Sequence, residues 1–168
     1  MQARLPAASQ NELMRAVVQR VSSASVEVEG VVVGSCQGGL LLLVAVHRED
    51  TEQDARKLAD RVVGLRIFND GEGKLNLSLA QSNEQDQANR GILAVSNFTI
   101  YGDATKSRRP SFMASAPYEA GKALFEVFLA ELKNFGARVE TGQYGTDMRV
   151  HSINDGPVTL ILETAPKL

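Results

Sequence analysis

The chain has 168 residues, 43% of them hydrophobic and 23% charged, with a formal net charge of -2. That length suits one domain with a substantial core. The slightly acidic balance excludes a protein that coats long stretches of nucleic acid and leaves room only for a local basic patch, such as one that grips a single end. Residues 1–13 are polar and Ala-rich without a period, and they read as a flexible extension or as the product of a start upstream of Met14. A single domain is expected over 14–168. Segments 15–21, 24–29 and 31–36 are short and Val-rich, with the alternation expected of strands, and Glu29-Gly30 fits a tight hairpin turn. Leu40 to Val46 is a continuous apolar run and predicts a strand covered on both faces. Thr51 begins a helix, with Asp54 three residues on in a near capping-box pattern and Ala55, Leu58, Ala59, Val62 and Leu65 forming one apolar stripe. A Gly-rich turn at 69–73 leads to an alternating strand of Leu75, Leu77 and Leu79, and the polar stretch 82–90 reads as a surface loop. A buried strand follows at 92–95. A second helix is expected over 118–134, ended by Gly136. Segments 139–144, 148–153 and 158–162 close the chain as strands. The sum is a strand-heavy α/β domain whose two main helices cover one sheet face.

The chemistry-bearing residues are few. Cys36 is the only cysteine, so no intrachain disulfide forms, and the lack of a signal-peptide pattern points to a reducing, cytoplasmic setting. Cys36 lies in a strand-like stretch without a nearby histidine and reads as a packing residue. The two histidines, His47 and His151, stand at unrelated positions, so neither a metal site nor a Ser-His-Asp triad is expected. The longest apolar run, 39–46, is far too short to span a membrane. Ser96-Asn97-Phe98-Thr99 follows the end of an apolar strand, where backbone N–H groups fan out beside a cleft. Thr99 is a candidate nucleophile or water-orienting group, yet no activating base stands beside it in sequence. The competing structural reading is a strand-terminal turn held by local side-chain bonds. Lys106-Ser107-Arg108-Arg109-Pro110 is the one dense basic cluster, suited to phosphate oxygens or simply a solvated loop. Gly71-Glu72-Gly73-Lys74 lacks the full phosphate-loop pattern and reads as a turn. Gly156-Pro157, after Asn154-Asp155 and between two apolar runs, marks either a plain hairpin corner or a rigid corner that presents main-chain carbonyls to a ligand.

In order, 14–21, Leu65-Arg66-Ile67-Phe68 with Gly73-Lys74-Leu75-Asn76, Ser96-Asn97-Phe98-Thr99-Ile100-Tyr101, Arg108-Arg109-Pro110-Ser111-Phe112 and Asn154-Asp155-Gly156-Pro157-Val158-Thr159 resemble the signature blocks of D-aminoacyl-tRNA deacylases. Each block alone is weak, but the ordered set, from about Met14 to Thr164, is specific. The resemblance implies a compact three-layer β/β/α fold with barrel-like sheets. It also implies a homodimer, and hydrolysis of the ester between a D-amino acid and the 3′-terminal adenosine of tRNA. Glycine mischarged on alanine tRNA is implied as a further substrate. No cofactor, metal, membrane or DNA is implied. On the same resemblance the catalytic segment is Ser96, Asn97, Phe98 and Thr99. The chirality filter is Gly156 with Pro157, joined by a cis bond and entering the partner subunit's site, where their carbonyls exclude L side chains. Arg20 braces that segment, Tyr144 and Met148 line the pocket, and Lys106, Arg108 and Arg109 hold tRNA. Two family mechanisms stand side by side. In one Thr99 is the nucleophile. In the other the tRNA 2′-hydroxyl assists water while backbone N–H groups hold the carbonyl, and the missing base favours this one. Asn97 departs from the usual Gln, and Tyr144 stands where Phe is commoner. Two alternatives remain: a non-catalytic tRNA-end binding protein of the same fold, and a Thr99-dependent hydrolase of small esters.

Overall fold

The computed structural model describes residues 14–164, so the expected N-terminal extension lies outside the described residues. Eight strands and three α-helices run in the order β1 (Arg15–Val28), β2 (Val31–Cys36), β3 (Gly39–Ala45), α1 (Glu52–Val63), β4 (Phe68–Asn69), β5 (Leu75–Leu77), α2 (Leu79–Asp86), β6 (Gly91–Ser96), α3 (Tyr118–Asn134), β7 (Val139–Thr141) and β8 (Arg149–Glu163), with a one-turn 3₁₀ helix over Phe98–Tyr101 after β6. Six strands form one mixed sheet in the order β2-β1-β3-β6-β7, with β8 paired to β1. β1 is antiparallel to β2, β3 and β8, while β3–β6 and β6–β7 are parallel. The sheet curls until β2 meets β7. A Cβ at Gly34 would run into the Thr141 carbonyl, and the Ser35 N–H donates to the Glu140 carboxylate at 2.8 Å. The result is a nearly closed barrel-like sheet with helices on it.

The continuous apolar run of β3 is explained by burial on both faces. Leu40, Leu42 and Val44 join Val18, Ile92 and Ala94 under α1 and α3, against Leu58, Val62, Phe128 and Leu132. Leu41 turns the other way, to Val21, Ala24, Val26, Cys36, Leu93 and Val95 inside the curled sheet. Burial pushes the Cys36 thiol up, which keeps it protonated and inert, as a packing residue should be.

Four local expectations are corrected. Segments 15–21 and 24–29 are one strand, continuous through Ser22-Ser23. The two closing segments are likewise one strand, β8, and Gly156-Pro157 is not a hairpin corner. The pairing runs Gln19↔Thr159 and then Val21↔Asn154, so Asp155, Gly156, Pro157 and Val158 stand opposite Arg20 alone. This is an outward excursion of the strand, a place where a proline without an N–H is tolerated. Leu79 begins α2 instead of ending a strand, and 82–90 is largely that helix, capped by Ser78 with Gln81 in a reciprocal box. α2 sits beside the β4–β5 hairpin, apart from α1 and α3, which are the two helices expected on one face. At α1, the Thr51 hydroxyl donates to the Asp54 carboxylate at 2.7 Å, and the same carboxylate accepts the Thr51 N–H at 2.9 Å.

Candidate active site

Parallel β3 and β6 end side by side, and the cleft opens at their C-terminal ends, where ligands collect in parallel sheets because the chain must leave the sheet there. A cleft of about 630 Å³ is lined by Val44 near the end of β3 and Val46 just after it, Val95 and Ser96 at the end of β6, Asn97, Phe98 and Thr99, Ala116 and Tyr118 before and in α3, and 144–148 before β8 with Val150 at its start. The structure therefore brings together six of the expected site residues: Ser96, Asn97, Phe98, Thr99, Tyr144 and Met148.

Asn97 continues the ladder, its N–H donating to the Val44 carbonyl at 2.8 Å. The chain then tightens into the 3₁₀ turn. The first N–H groups of such a turn have no internal acceptor. Asn97 makes no side-chain cap, and among the described residues the N–H groups of Phe98 and Thr99 find no partner. Two adjacent amide donors are thus left at the cleft wall. The Thr99 hydroxyl donates to the Asn97 side-chain carbonyl at 2.5 Å. A carboxamide oxygen accepts a hydrogen bond but cannot take the proton. Thr99 therefore has the local partner of a structural turn and lacks the base of a nucleophile. Among the cleft-lining residues Asp147 is the only carboxylate, and there is no histidine.

The far wall is aromatic. Tyr144 meets Tyr118 edge-on at 5.3 Å between ring centroids and leans on Phe125 at 5.7 Å. Gly121 lets the ring sit against α3, because a Cβ there would run into the Tyr144 hydroxyl. Burial, with a smaller contribution from Tyr118, raises the Tyr144 pKa, so the phenol stays neutral. Met148 packs beneath on the interior cluster around Val26.

Gly156 and Pro157 do not line this cleft. Their bond is cis. Arg20, 8% exposed, holds the base of their excursion. Its guanidinium donates to the Asp155 carbonyl at 3.2 Å, the Ile67 carbonyl at 2.9 Å and the Asn69 side-chain oxygen at 3.2 Å. The Asn154 amide closes the neck, donating to the carbonyls of Arg20 at 2.9 Å and Val158 at 3.1 Å. Gly156 and Pro157 are left at the exposed tip.

Lys106, Arg108 and Arg109 lie together on an exposed loop between the 3₁₀ turn and α3. Paired backbone bonds between Asp103 and Ser111 close its base, at 2.8 and 2.9 Å. Among the described residues none of the three cations makes an ion pair. Phe112, just after them, stacks edge-on against Phe98 at 5.3 Å, which ties the basic loop to the cleft wall. Gly71 to Lys74 does form a turn, and its amides are occupied: the Asp70 carboxylate accepts the N–H groups of Glu72 at 2.9 Å and Lys74 at 3.0 Å. Those bonds, that of Lys74 foremost, lower the Asp70 pKa. Sequence reasoning missed Tyr118 and the 145–147 loop as cleft elements, and Phe112 as the ring that braces Phe98. The aromatic character of Tyr118 at the first turn of an amphipathic helix was the available signal.

The match to known proteins covers these same elements. A family model described as D-Tyr-tRNA(Tyr) deacylase matches residues 17–163. A D-aminoacyl-tRNA deacylase of Thermosipho africanus is 48% identical over 151 residues, 90% of this chain and 97% of that protein. One of Thermotoga petrophila is 50% identical over 152 residues, 90% of this chain and 98% of its own. Among solved structures, a c-Myc DNA Unwinding Element Binding Protein superposes with TM-score 0.81 at 33% identity, covering 90% of this chain and 99% of that one. A probable eukaryotic D-amino acid tRNA deacylase superposes with TM-score 0.72 at 18% identity, a likeness of fold. Sequence identity of this order from β1 to β8, through the cleft and the Arg20-held excursion, leaves one conclusion: the chain belongs to the D-aminoacyl-tRNA deacylase family.

Proposed function

We propose that the protein hydrolyses the ester linking a D-amino acid, or glycine mischarged on alanine tRNA, to the 3′-terminal adenosine of tRNA in the cytoplasm. The observation that carries the reading is the pair of unpartnered amides of Phe98 and Thr99 in a cleft lined by no histidine and by a single carboxylate, Asp147. Oriented N–H groups stabilise the oxyanion that forms as water adds to the ester carbonyl, and each such donor can contribute about 100-fold or more to the rate. The substrate's own 2′-hydroxyl relays the proton, and the 3′-oxygen leaves as a hydroxyl. Lys106, Arg108 and Arg109 take the phosphates of the tRNA end. Tyr144 and Met148 shape the pocket.

Two copies form the working unit in this reading. Gly156 and Pro157 stand at an exposed tip away from their own cleft and enter the partner's, where their carbonyls occupy the space an L side chain needs. Supporting features are the free outer edge of β8 among the described residues and the exposed Ile153 and Ile161 on that strand, at 62% and 67% exposure. Specificity by a backbone obstacle rejects the wrong enantiomer without requiring attractive contacts to varied D side chains. The deciding experiment is hydrolysis of a matched pair of D- and L-aminoacyl-tRNA. Cleavage of the D substrate alone, with glycyl-tRNA also cleaved, is expected. Cleavage of simple D-amino-acid esters with tRNA esters ignored favours a small-ester hydrolase, and tight tRNA binding with no turnover favours a binding protein. Sedimentation at assay concentration tests the dimer, and a fully active monomer refutes it.

A further inference from the structure

A peptide group is a rigid plane, so whatever fixes a carbonyl also fixes the N–H on the opposite side of that plane. The Phe98 carbonyl accepts a hydrogen bond from the Ser115 hydroxyl at 2.9 Å. The N–H across that same plane belongs to Thr99. We propose that Ser115 is a positioning residue: its hydroxyl holds the Phe98–Thr99 peptide plane from behind so that the Thr99 N–H is presented to the cleft. This inference rests on reading those amides as the donors to the ester carbonyl.

The turn needs such a support. It is one turn long, and its opening bond, from the Ile100 N–H to the Asn97 carbonyl in the preceding peptide plane, is long at 3.4 Å, so the turn starts loosely just before the Phe98–Thr99 plane. The support itself is firmly mounted. Chain 114–116 lies antiparallel to 46–48: the Arg48 N–H donates to the Ala114 carbonyl and the Ala116 N–H to the Val46 carbonyl, both at 2.9 Å. The Ser115 N–H donates to the Phe112 carbonyl at 3.1 Å, and the Phe112 ring in turn braces Phe98. Ser115 is thus carried on an extension of β3, the strand beside the one that delivers Phe98. It is absent from the cleft lining, where its neighbour Ala116 is present, so it acts on the plane without touching substrate.

The test compares Ser115→Ala and Ser115→Thr with wild type, reading kcat and KM on D-aminoacyl-tRNA together with the ¹⁵N–¹H shift and solvent exchange of the Thr99 amide. Loss of the hydroxyl should lower kcat about ten- to a hundredfold, the range expected when a donor is mispositioned rather than deleted. KM should stay within about twofold, since the contact is made in the transition state. The Thr99 amide should shift and exchange faster. Ser115→Thr, which keeps the hydroxyl, should return kcat to within about threefold of wild type. Ser115→Cys, similar in shape with a weak donor, replaces the Ala variant if that one does not fold. Wild-type kcat or an unmoved Thr99 amide in the Ala or Cys variant overturns the proposal, as does equal loss in Ser115→Thr. A wild-type protein inactive on D-aminoacyl-tRNA overturns the functional reading instead, and the amide spectrum then decides the role of Ser115 alone.

Discussion

Gly156→Ala is the perturbation whose cost the structure states most directly. Gly156 has φ +126°, a region that side-chain-bearing residues rarely enter. Forcing Ala into such a conformation costs about 1–2 kcal/mol. The added Cβ would also stand 2.8 Å from Val158 Cγ2 and 3.0 Å from Arg20 Nη2. The guanidinium cannot retreat freely, because it is buried and bonded to the Asp155, Ile67 and Asn69 oxygens. Weakening one or two of those bonds adds about 1–2 kcal/mol. A loss of about 2–4 kcal/mol in urea unfolding is the expected sum. Relief by moving the tip outward would spare stability and displace the filter, and a displacement near 1 Å costs about 100-fold in kcat/KM. Gly71→Ala serves as the control, since a Cβ there meets nothing within 4 Å. Urea unfolding and deacylation of one D-aminoacyl-tRNA, run side by side, check both. A Gly156→Ala protein with wild-type unfolding and wild-type kcat/KM refutes the view that Arg20 holds a tip with no room to adapt.

What the sequence made legible was local. The stripe of Ala55, Leu58, Ala59 and Val62 marks α1, and the apolar run of β3 marks a strand buried on both faces, because each pattern is a direct image of its surroundings. The missing base beside Thr99 was also legible, since the nearest group, Asn97, is two residues away. Register was not. Nothing in the chain order says that Asp155 to Val158 stand opposite Arg20, because that pairing joins positions 135 residues apart. A Gly-Pro pair reads locally as a corner, and only the continuity of β8 across it shows an excursion. α2 was masked by polar composition, although Ser78 and Gln81 carry a capping box that marks its start. Ser115 left no local trace, because the carbonyl it holds is 17 residues away. The candidate catalytic donors are backbone amides, which no side-chain motif encodes. Sequence could locate the turn that frees them but not the plane in which they point.

Three further outcomes follow from the geometry. Thr99→Ala should keep kcat within about tenfold of wild type, whereas loss of a true nucleophile costs several orders of magnitude; single-turnover deacylation separates the two. Arg108→Ala with Arg109→Ala should weaken tRNA binding roughly tenfold and lower its salt slope by up to about two, with the D-over-L preference unchanged; filter binding across a salt series reads this, and an unchanged slope assigns the loop a structural role. The last concerns Asp50, at the turn between β3 and α1. Its carboxylate accepts the N–H groups of His47 at 2.6 Å and Met14 at 2.8 Å. Burial, opposed by those two bonds and reinforced by Asp54, raises its pKa from 3.8 to about 7. The folded protein therefore binds this proton more tightly than the unfolded chain, so stability falls as pH rises. The contribution is fully present below pH 3.8 and is lost as pH climbs through about 7. It amounts to about 1–2 kcal/mol once screening of this partly exposed group is allowed for. Urea unfolding between about pH 5 and pH 8 should show wild type losing the larger part of that stability and Asp50→Asn staying flat by comparison, whatever its baseline. Because Asp50 ties Met14 to the end of β3, and that end carries Ser115 and through it the Phe98 carbonyl, the comparison also asks whether the support of the cleft loosens with pH. Parallel pH profiles for the two proteins would show that Asp50 does not hold its proton in the folded state.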